Sequence, residues 1–298
     1  MSLSSVEPLP KLQNSPARAY GTPARGGASP LTTVRKMRSR LGAYVEAAGV
    51  PWILPGVILI LWQLSAATGL ISSSFLPEPV AILKAGWRLV LSGELLTNLL
   101  VSAQRAFAGL VVGGGLGFAF GLSNGLSRFS ERLTDSTIQM VRNIPLLSLI
   151  PLVILWFGID EGAKLFLVAL SVFFPVYVNT LHGIQTVDDK LVEMGRSYGM
   201  KGWDLFRRVI FPGALPSVFV GLRYALGTMW VTLIVAETIA AQSGIGYLAM
   251  HAREFMQVDV VVLSILVYAL LGKLADFAVK LLEHATLQWH PAFQRGVS

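Results

Sequence analysis

VDDKLVEMGRSYGMKGWDLFRRVIFPGALP, residues 187–216, is the longest polar interruption between the apolar segments of this chain. It carries helix-period apolar residues of its own. Leu191, Met194 and Tyr198 fall at i, i+3 and i+7, and Trp203, Phe206 and Ile210 repeat that spacing. Each set lays one apolar stripe along a short helix. Gly199 lies between them, suited to a left-handed turn that ends one helix and re-aims the next. Pro212 and Pro216 are then expected to stop the second helix before the following apolar run. Polar faces carry Asp188, Asp189, Lys190, Glu193, Arg196, Lys201, Asp204, Arg207 and Arg208. An amphipathic helix–turn–helix of this kind suits a groove on a soluble partner.

The surroundings of that loop are a membrane's. Of 298 residues, 53% are hydrophobic and 14% charged, against about 25% charged in soluble domains. Mean hydropathy is +0.61. Six apolar segments, at approximately 51–70, 99–122, 140–158, 163–184, 216–240 and 258–280, each come near the roughly 20 residues of a spanning helix. The expectation is an all-α, polytopic helical bundle with six transmembrane helices. The chain has no cysteine, which excludes disulfides, thiolate catalysis and Cys-based zinc sites.

Orientation follows from the basic residues. With the N-terminus inside, cytosolic parts hold sixteen Lys and Arg, and outside parts hold three: Lys84, Arg88 and Arg253. The net charge of +7 is therefore topological and no argument for nucleic acid. Residues 1–45, with Pro8, Pro10, Pro16, Pro23 and Pro30 and the basic cluster Arg35, Lys36, Arg38 and Arg40, read as a disordered cytosolic tail. Anionic headgroups of the lipid bilayer attract such a cluster. Residues 46–290 form the transmembrane domain and 291–298 a second cytosolic tail.

Within the spans a few residues stand out. Gly109, Gly113, Gly117, Gly121 and Gly125 lie four residues apart, one smooth groove for a neighbouring helix. Pro145 and Pro151 break the third segment, with Pro151 expected in mid-span, and broken helices are tolerated where they line a cavity or pack on protein. Asn143, Pro145, Ser148, Pro151 and Asn179 are thus candidates for a translocation path. Bonding a neighbouring helix accounts equally well for the polar ones. Arg105 lies six residues beyond Leu99, about 9 Å deep, and Glu237 comes near the same outer face. An unpaired charge there is costly, so the two are expected to form an ion pair near an external gate. Lys273 and Asp276, at i and i+3, have the spacing to neutralise each other. Between spans five and six an outer hairpin helix presents Tyr247, His251 and Arg253, a docking surface for a soluble partner. Residues 71–98, through Leu76-Pro77-Glu78-Pro79 and Trp87, read as an interfacial helix.

Catalytic signatures are missing. The histidines (His182, His251, His284, His290) form no HExxH and no cluster. No GxxxxGK followed by Ser or Thr occurs: Gly272-Lys273 precedes Leu274, and Val267 stands where the first glycine would fall. The chain cannot hold ATP by that device.

The spacing Glu193, Gly199 and Val209-Ile210-Phe211-Pro212 resembles the "EAA" loop of permease subunits of binding-protein-dependent ABC importers. Met194 and Gly195 replace the alanines of that name, and Phe211 the usual leucine. IPLVILWFGIDE (150–161), GALPSVFVGLRYALG (213–227), AETIAAQSGIGYLAMHAREF (236–255) and YALLGKLAD (268–276) extend the likeness to aliphatic sulfonate permeases, with those for taurine and nitrate close by. The resemblance implies a type I ABC importer permease fold in a bacterial inner membrane, and loop residues Glu193, Gly199, Trp203, Phe206, Arg207 and Pro212 acting as a coupling helix. The partners it implies are two ATP-binding subunits, a second permease copy, a solute-binding protein and a small anionic substrate. ATP and magnesium belong to the partner subunit; this chain binds no cofactor. A secondary transporter would instead show inverted repeats or a midplane ion site, and an integral membrane enzyme a polar cluster at one depth. Neither is evident.

Overall fold

A computed structural model describes residues 53–70, 72 and 75–288. The two terminal tails, 1–45 and 291–298, lie outside them, as does the basic cluster Arg35–Arg40. Contacts divide the chain after Ile58: of residues 1–58 only the start of helix α1 (Ile53–Ala67) is described, and residues 59–298 form the second unit.

The second unit is built from helices. After α1 come α2 (Pro79–Leu91), α3 (Glu94–Leu126), α4 (Arg128–Arg142), a 3-10 turn (Leu146–Leu149), α5 (Ile150–Phe157) and α6 (Glu161–Gln185). The loop contributes α7 (Asp189–Ser197) and the short α8 (Trp203–Leu205), followed by α9 (Phe211–Ala240), α10 (Ile245–Glu254) and α11 (Val258–Thr286). Among the described residues four stretches are long and apolar enough to cross a membrane: α3, α6, α8–α9 and α11; α4 with the 3-10 turn and α5 makes a fifth if taken as one bent span, and α1 is a shorter apolar helix.

The glycine stripe of α3 sets how close the spans come. A Cβ on Gly117 would lie 2.5 Å from the Phe173 carbonyl oxygen, and one on Gly121 2.7 Å from Thr180 Cβ. Gly109 and Gly113 meet Val168 and Ala169, and Gly125 meets Ile184, all on α6. Backbone meets backbone at Gly113 and Gly117, while at Gly109, Gly121 and Gly125 an α6 side chain packs onto the bare α3 backbone. Against it packs α9, with Val168, Val172, Val176, Ala225, Met229 and Leu233 forming the core. Pro175 inside α6 removes the N–H that would bond the Ser171 carbonyl. Thr228 of α9 donates to that carbonyl at 3.1 Å, so the break is satisfied by a neighbour.

Three expectations about prolines and charges need correcting. Pro212 and Pro216 do not end a helix: α8 runs through a π-helical turn (Phe206–Ile210) straight into α9, where Pro212 sits in the first turn. The π turn shifts the bonding register, Phe211 N–H reaching back to Phe206, so the donor missing at Pro212 breaks nothing. Pro151 does not break a continuous helix: α4 and α5 are bent by 87°, and Pro151 occupies the first turn of α5, where its missing N–H is harmless. Asp276 pairs with Lys280 at 2.9 Å and Arg223 at 3.5 Å, not with Lys273, because i+4 and a neighbouring helix offer the closer cations.

Helix α2 buries Ile82, Ala85 and Leu89, the last two against Leu248, Ala252 and Val260, and leaves Leu83, Trp87 and Leu91 exposed.

Candidate functional site

Three places bring the singled-out residues together. The first is a polar knot at the end of the bundle that carries α10. Arg105 (α3) and Glu237 (α9) lie 2.8 Å apart, with 4% and 0% of their side chains exposed. The guanidinium also forks onto Glu161 at the start of α6, at 2.7 and 2.6 Å, and donates to the Ser243 carbonyl at 2.6 Å. Glu237 accepts further bonds from Ser102 Oγ (2.8 Å), the Gly246 N–H (2.9 Å) and the Tyr268 hydroxyl (2.6 Å). Lys164, also buried, bonds Glu161 at 2.8 Å. Five helices are thereby joined at one point, and every charge in it has a partner, the condition under which buried ions persist.

Local backbone explains how the loop fits. Gly244, at φ +111°, passes so close to the Glu237 carboxylate that a Cβ would overlap it. The Gly244 N–H donates to Asn98 Oδ1 (2.7 Å) and the Ile245 N–H to Ser102 Oγ (2.9 Å), which pins the start of α10. Beyond it, Tyr247 is half-buried while His251 and Arg253 are exposed. The His251 ring lies between those of Tyr247 and Phe255, tilted to both, with ring centroids 5.7 and 4.8 Å away. Sequence spacing paired Arg105 with Glu237. It did not bring in Ser102, Glu161, Lys164 or Tyr268, which meet them only through tertiary packing.

The second place is a cavity of about 690 Å³ between the α4–α5 bend, α6 and α9. Asn143, Pro145 and Asn179 line it; Ser148 and Pro151 are not among its lining residues. Ser148 Oγ instead donates to the Pro145 carbonyl at 2.6 Å and stabilises the bend. Asn179 Nδ2 donates to the Pro175 carbonyl at 2.8 Å, so half of that amide is committed to helix α6. Below the bend, α4 is tied to α3 and α6 by a second polar cluster: Asn124 donates to Tyr177 and Thr134, and Tyr177 donates to Asp135 at 2.7 Å.

The third is the α7–α8 loop at the opposite end of the bundle. Gly199 has φ +82°, and Gly202 has φ +51°. Inward packing falls on Gly195, whose Cβ would come within 2.8 Å of Leu205. Leu191, Met194, Tyr198 and Trp203 are 46%, 51%, 78% and 69% exposed and form an apolar face on the loop. Glu193 and Arg207 are exposed beside it. Trp203, Phe206, Phe211 and Phe118 form a ladder of rings 5.2, 5.7 and 6.3 Å apart, running from the loop to α3.

A helical membrane protein with a glycine-seamed helix pair, a short helix–turn–helix at one end and a polar knot at the other has the architecture of a transport permease. The chain belongs to the family of binding-protein-dependent transport system inner membrane components, whose model matches residues 112–288. It is 60% identical to the aliphatic sulfonates transport permease protein SsuC of Escherichia coli (strain K12), over 82% of this chain and 92% of the relative. With the protein of the same name from Bacillus subtilis (strain 168) it shares 41% identity, over 90% of this chain and 97% of the relative. In fold it resembles a chain from the crystal structure of an amino acid ABC transporter with histidines. The TM-score is 0.55 at 19% identity, covering 66% of this chain and 96% of that one.

Proposed function

We propose that this chain is the permease subunit of an ABC importer for aliphatic sulfonates in the bacterial inner membrane. The observation that carries the substrate is the likeness, over most of both chains, to two permeases named for aliphatic sulfonates. The chain has no nucleotide-binding loop of its own, so ATP with magnesium is hydrolysed by a pair of partner subunits. The exposed face Leu191, Met194, Tyr198 and Trp203 is where such a subunit docks, since an apolar helix face lies naturally in a groove. A second permease copy closes the open side of the cavity, and a solute-binding protein delivers substrate at the α10 end through Tyr247, His251 and Arg253.

Six crossings follow if α1, α3, the bent α4–α5 pair, α6, α9 and α11 each span the bilayer. The basic residues place the α7–α8 end in the cytosol with both termini, and the α10 end outside. In this arrangement the Arg105–Glu237 knot holds the external face together, while Asn143, Pro145 and Asn179 line the path with Ser148 and Pro151 shaping it. A sulfonate carries a fixed negative charge and cannot cross hydrocarbon unaided. ATP drives closure of the partner-subunit dimer, and the loop transmits that movement as alternating access.

Deleting the gene is expected to abolish growth on ethanesulfonate as sole sulfur source while sulfate still supports it. Undiminished growth on ethanesulfonate in a strain with no second importer, together with lost use of taurine or nitrate, would overturn the substrate and leave the permease.

A further inference from the structure

The cavity at the α4–α5 bend is lined by a cation whose side chain has no partner among the described residues. Arg142, the last residue of α4, is exposed and contributes to its wall, and its side chain makes no ion pair or hydrogen bond among the described residues. Among the described residues that line the cavity it is the only Lys or Arg. No aspartate or glutamate lines the cavity. The neighbouring polar groups are neutral: the Asn143 amide, the half-committed Asn179 amide, and the hydroxyls of Ser171, Thr228 and Thr232. A cavity with one free guanidinium and no acid is biased toward an anion.

We propose that Arg142 is the residue that recognises the sulfonate group during passage, its guanidinium fork donating to two of the three sulfonate oxygens. This deepens the importer reading and rests on it. The geometry suits transit. Planar, paired N–H donors match an oxyanion's oxygens. The bend at Asn143–Pro145 places the side chain at the wall formed with α6 and α9, so a change in bend angle moves the contact as the path opens.

The test uses the complete complex in proteoliposomes, with its solute-binding protein, and radiolabelled ethanesulfonate as probe. Wild-type uptake comes first: if it is absent, the sulfonate reading fails before Arg142 is tested. Given wild-type uptake, Arg142→Gln is expected to lower it about tenfold or more, as expected for losing a charged hydrogen bond, with ATP hydrolysis stimulated by the binding protein unchanged. Uptake equal to wild type overturns the proposal and leaves the importer standing. So does a parallel fall in uptake and hydrolysis, which marks a structural role. Arg142→Lys keeps the charge without the fork, and decides the matter even if the glutamine variant does not assemble. Uptake reduced several-fold at unchanged hydrolysis supports bidentate recognition, and wild-type uptake overturns it.

Discussion

Replacing Arg105 with methionine is expected to destabilise the protein by about 3–5 kcal/mol, the usual cost of stripping one partner from a buried ion pair. Methionine fills similar space, so the loss is electrostatic rather than a cavity. Glu237, with none of its side chain exposed, keeps its bonds from Ser102, Gly246 and Tyr268 but loses the only cation that touches it among the described residues. Glu161 and the Ser243 carbonyl lose a donor at the same time, and with them the anchor of the loop before α10. Arg105→Lys should restore little, because a single ammonium cannot serve Glu237, Glu161 and Ser243 together. Arg88→Met is the control. Arg88 is 65% exposed and 3.9 Å from Asp259, and its loss should cost less than about 1 kcal/mol. Denaturant titration of the purified protein in detergent separates the two, and equal shifts for Arg105→Met and Arg88→Met would show that the knot is not a stabilising unit.

Gly199→Val is expected to leave the protein inserted and folded but to cut ATP-driven uptake at least tenfold. At φ +82° a β-branched residue is strained, at a cost of roughly 1–3 kcal/mol. Nothing lies within 4 Å of where the Cβ would stand, so the effect is on the backbone of the turn and not on packing. The loop therefore relaxes to another turn, and α7 no longer presents Leu191, Met194 and Tyr198 beside Trp203. Gly199→Asn, which tolerates the left-handed region, should recover most of the activity. Uptake and stimulated hydrolysis at wild-type levels in the valine variant would mean that the loop is not the coupling element.

Much of this architecture is written in local pattern. The four-residue glycine period of α3 gives a close helix pair wherever its partner lies, and α6 is that partner. Apolar spacing in the loop gives α7 and the exposed face of Leu191, Met194 and Tyr198. Depth arithmetic places Arg105 and Glu237 at one level, and they lie 2.8 Å apart. The residues that escaped are those whose partners come from distant helices. Thr228 satisfies a carbonyl freed by a proline on another helix, which no spacing along α9 can show. Ser102 and Tyr268 join Glu237 from 135 and 31 residues away. The prolines misled for a related reason. A proline reads as a stop when only its missing donor is considered, yet the π turn before Pro212 and the bend before Pro151 change which donors are needed. Asn143 could be singled out as polar in an apolar run, but the unpaired state of Arg142 beside it needs all the neighbouring helices in place.

Coupling requires the α7–α8 loop and the α10 hairpin to face opposite sides of the membrane, with the loop on the side where ATP is hydrolysed. Because the chain has no cysteine, single cysteines can be placed directly at Ser197 on the loop and at Gln257 before α11, both exposed. A membrane-impermeant maleimide applied to intact spheroplasts is predicted to label Gln257→Cys and to leave Ser197→Cys unmodified until the cells are broken. Labelling of Ser197→Cys with protection of Gln257→Cys would place the loop outside, beyond reach of any cytosolic ATPase, and would contradict the coupling account as a whole.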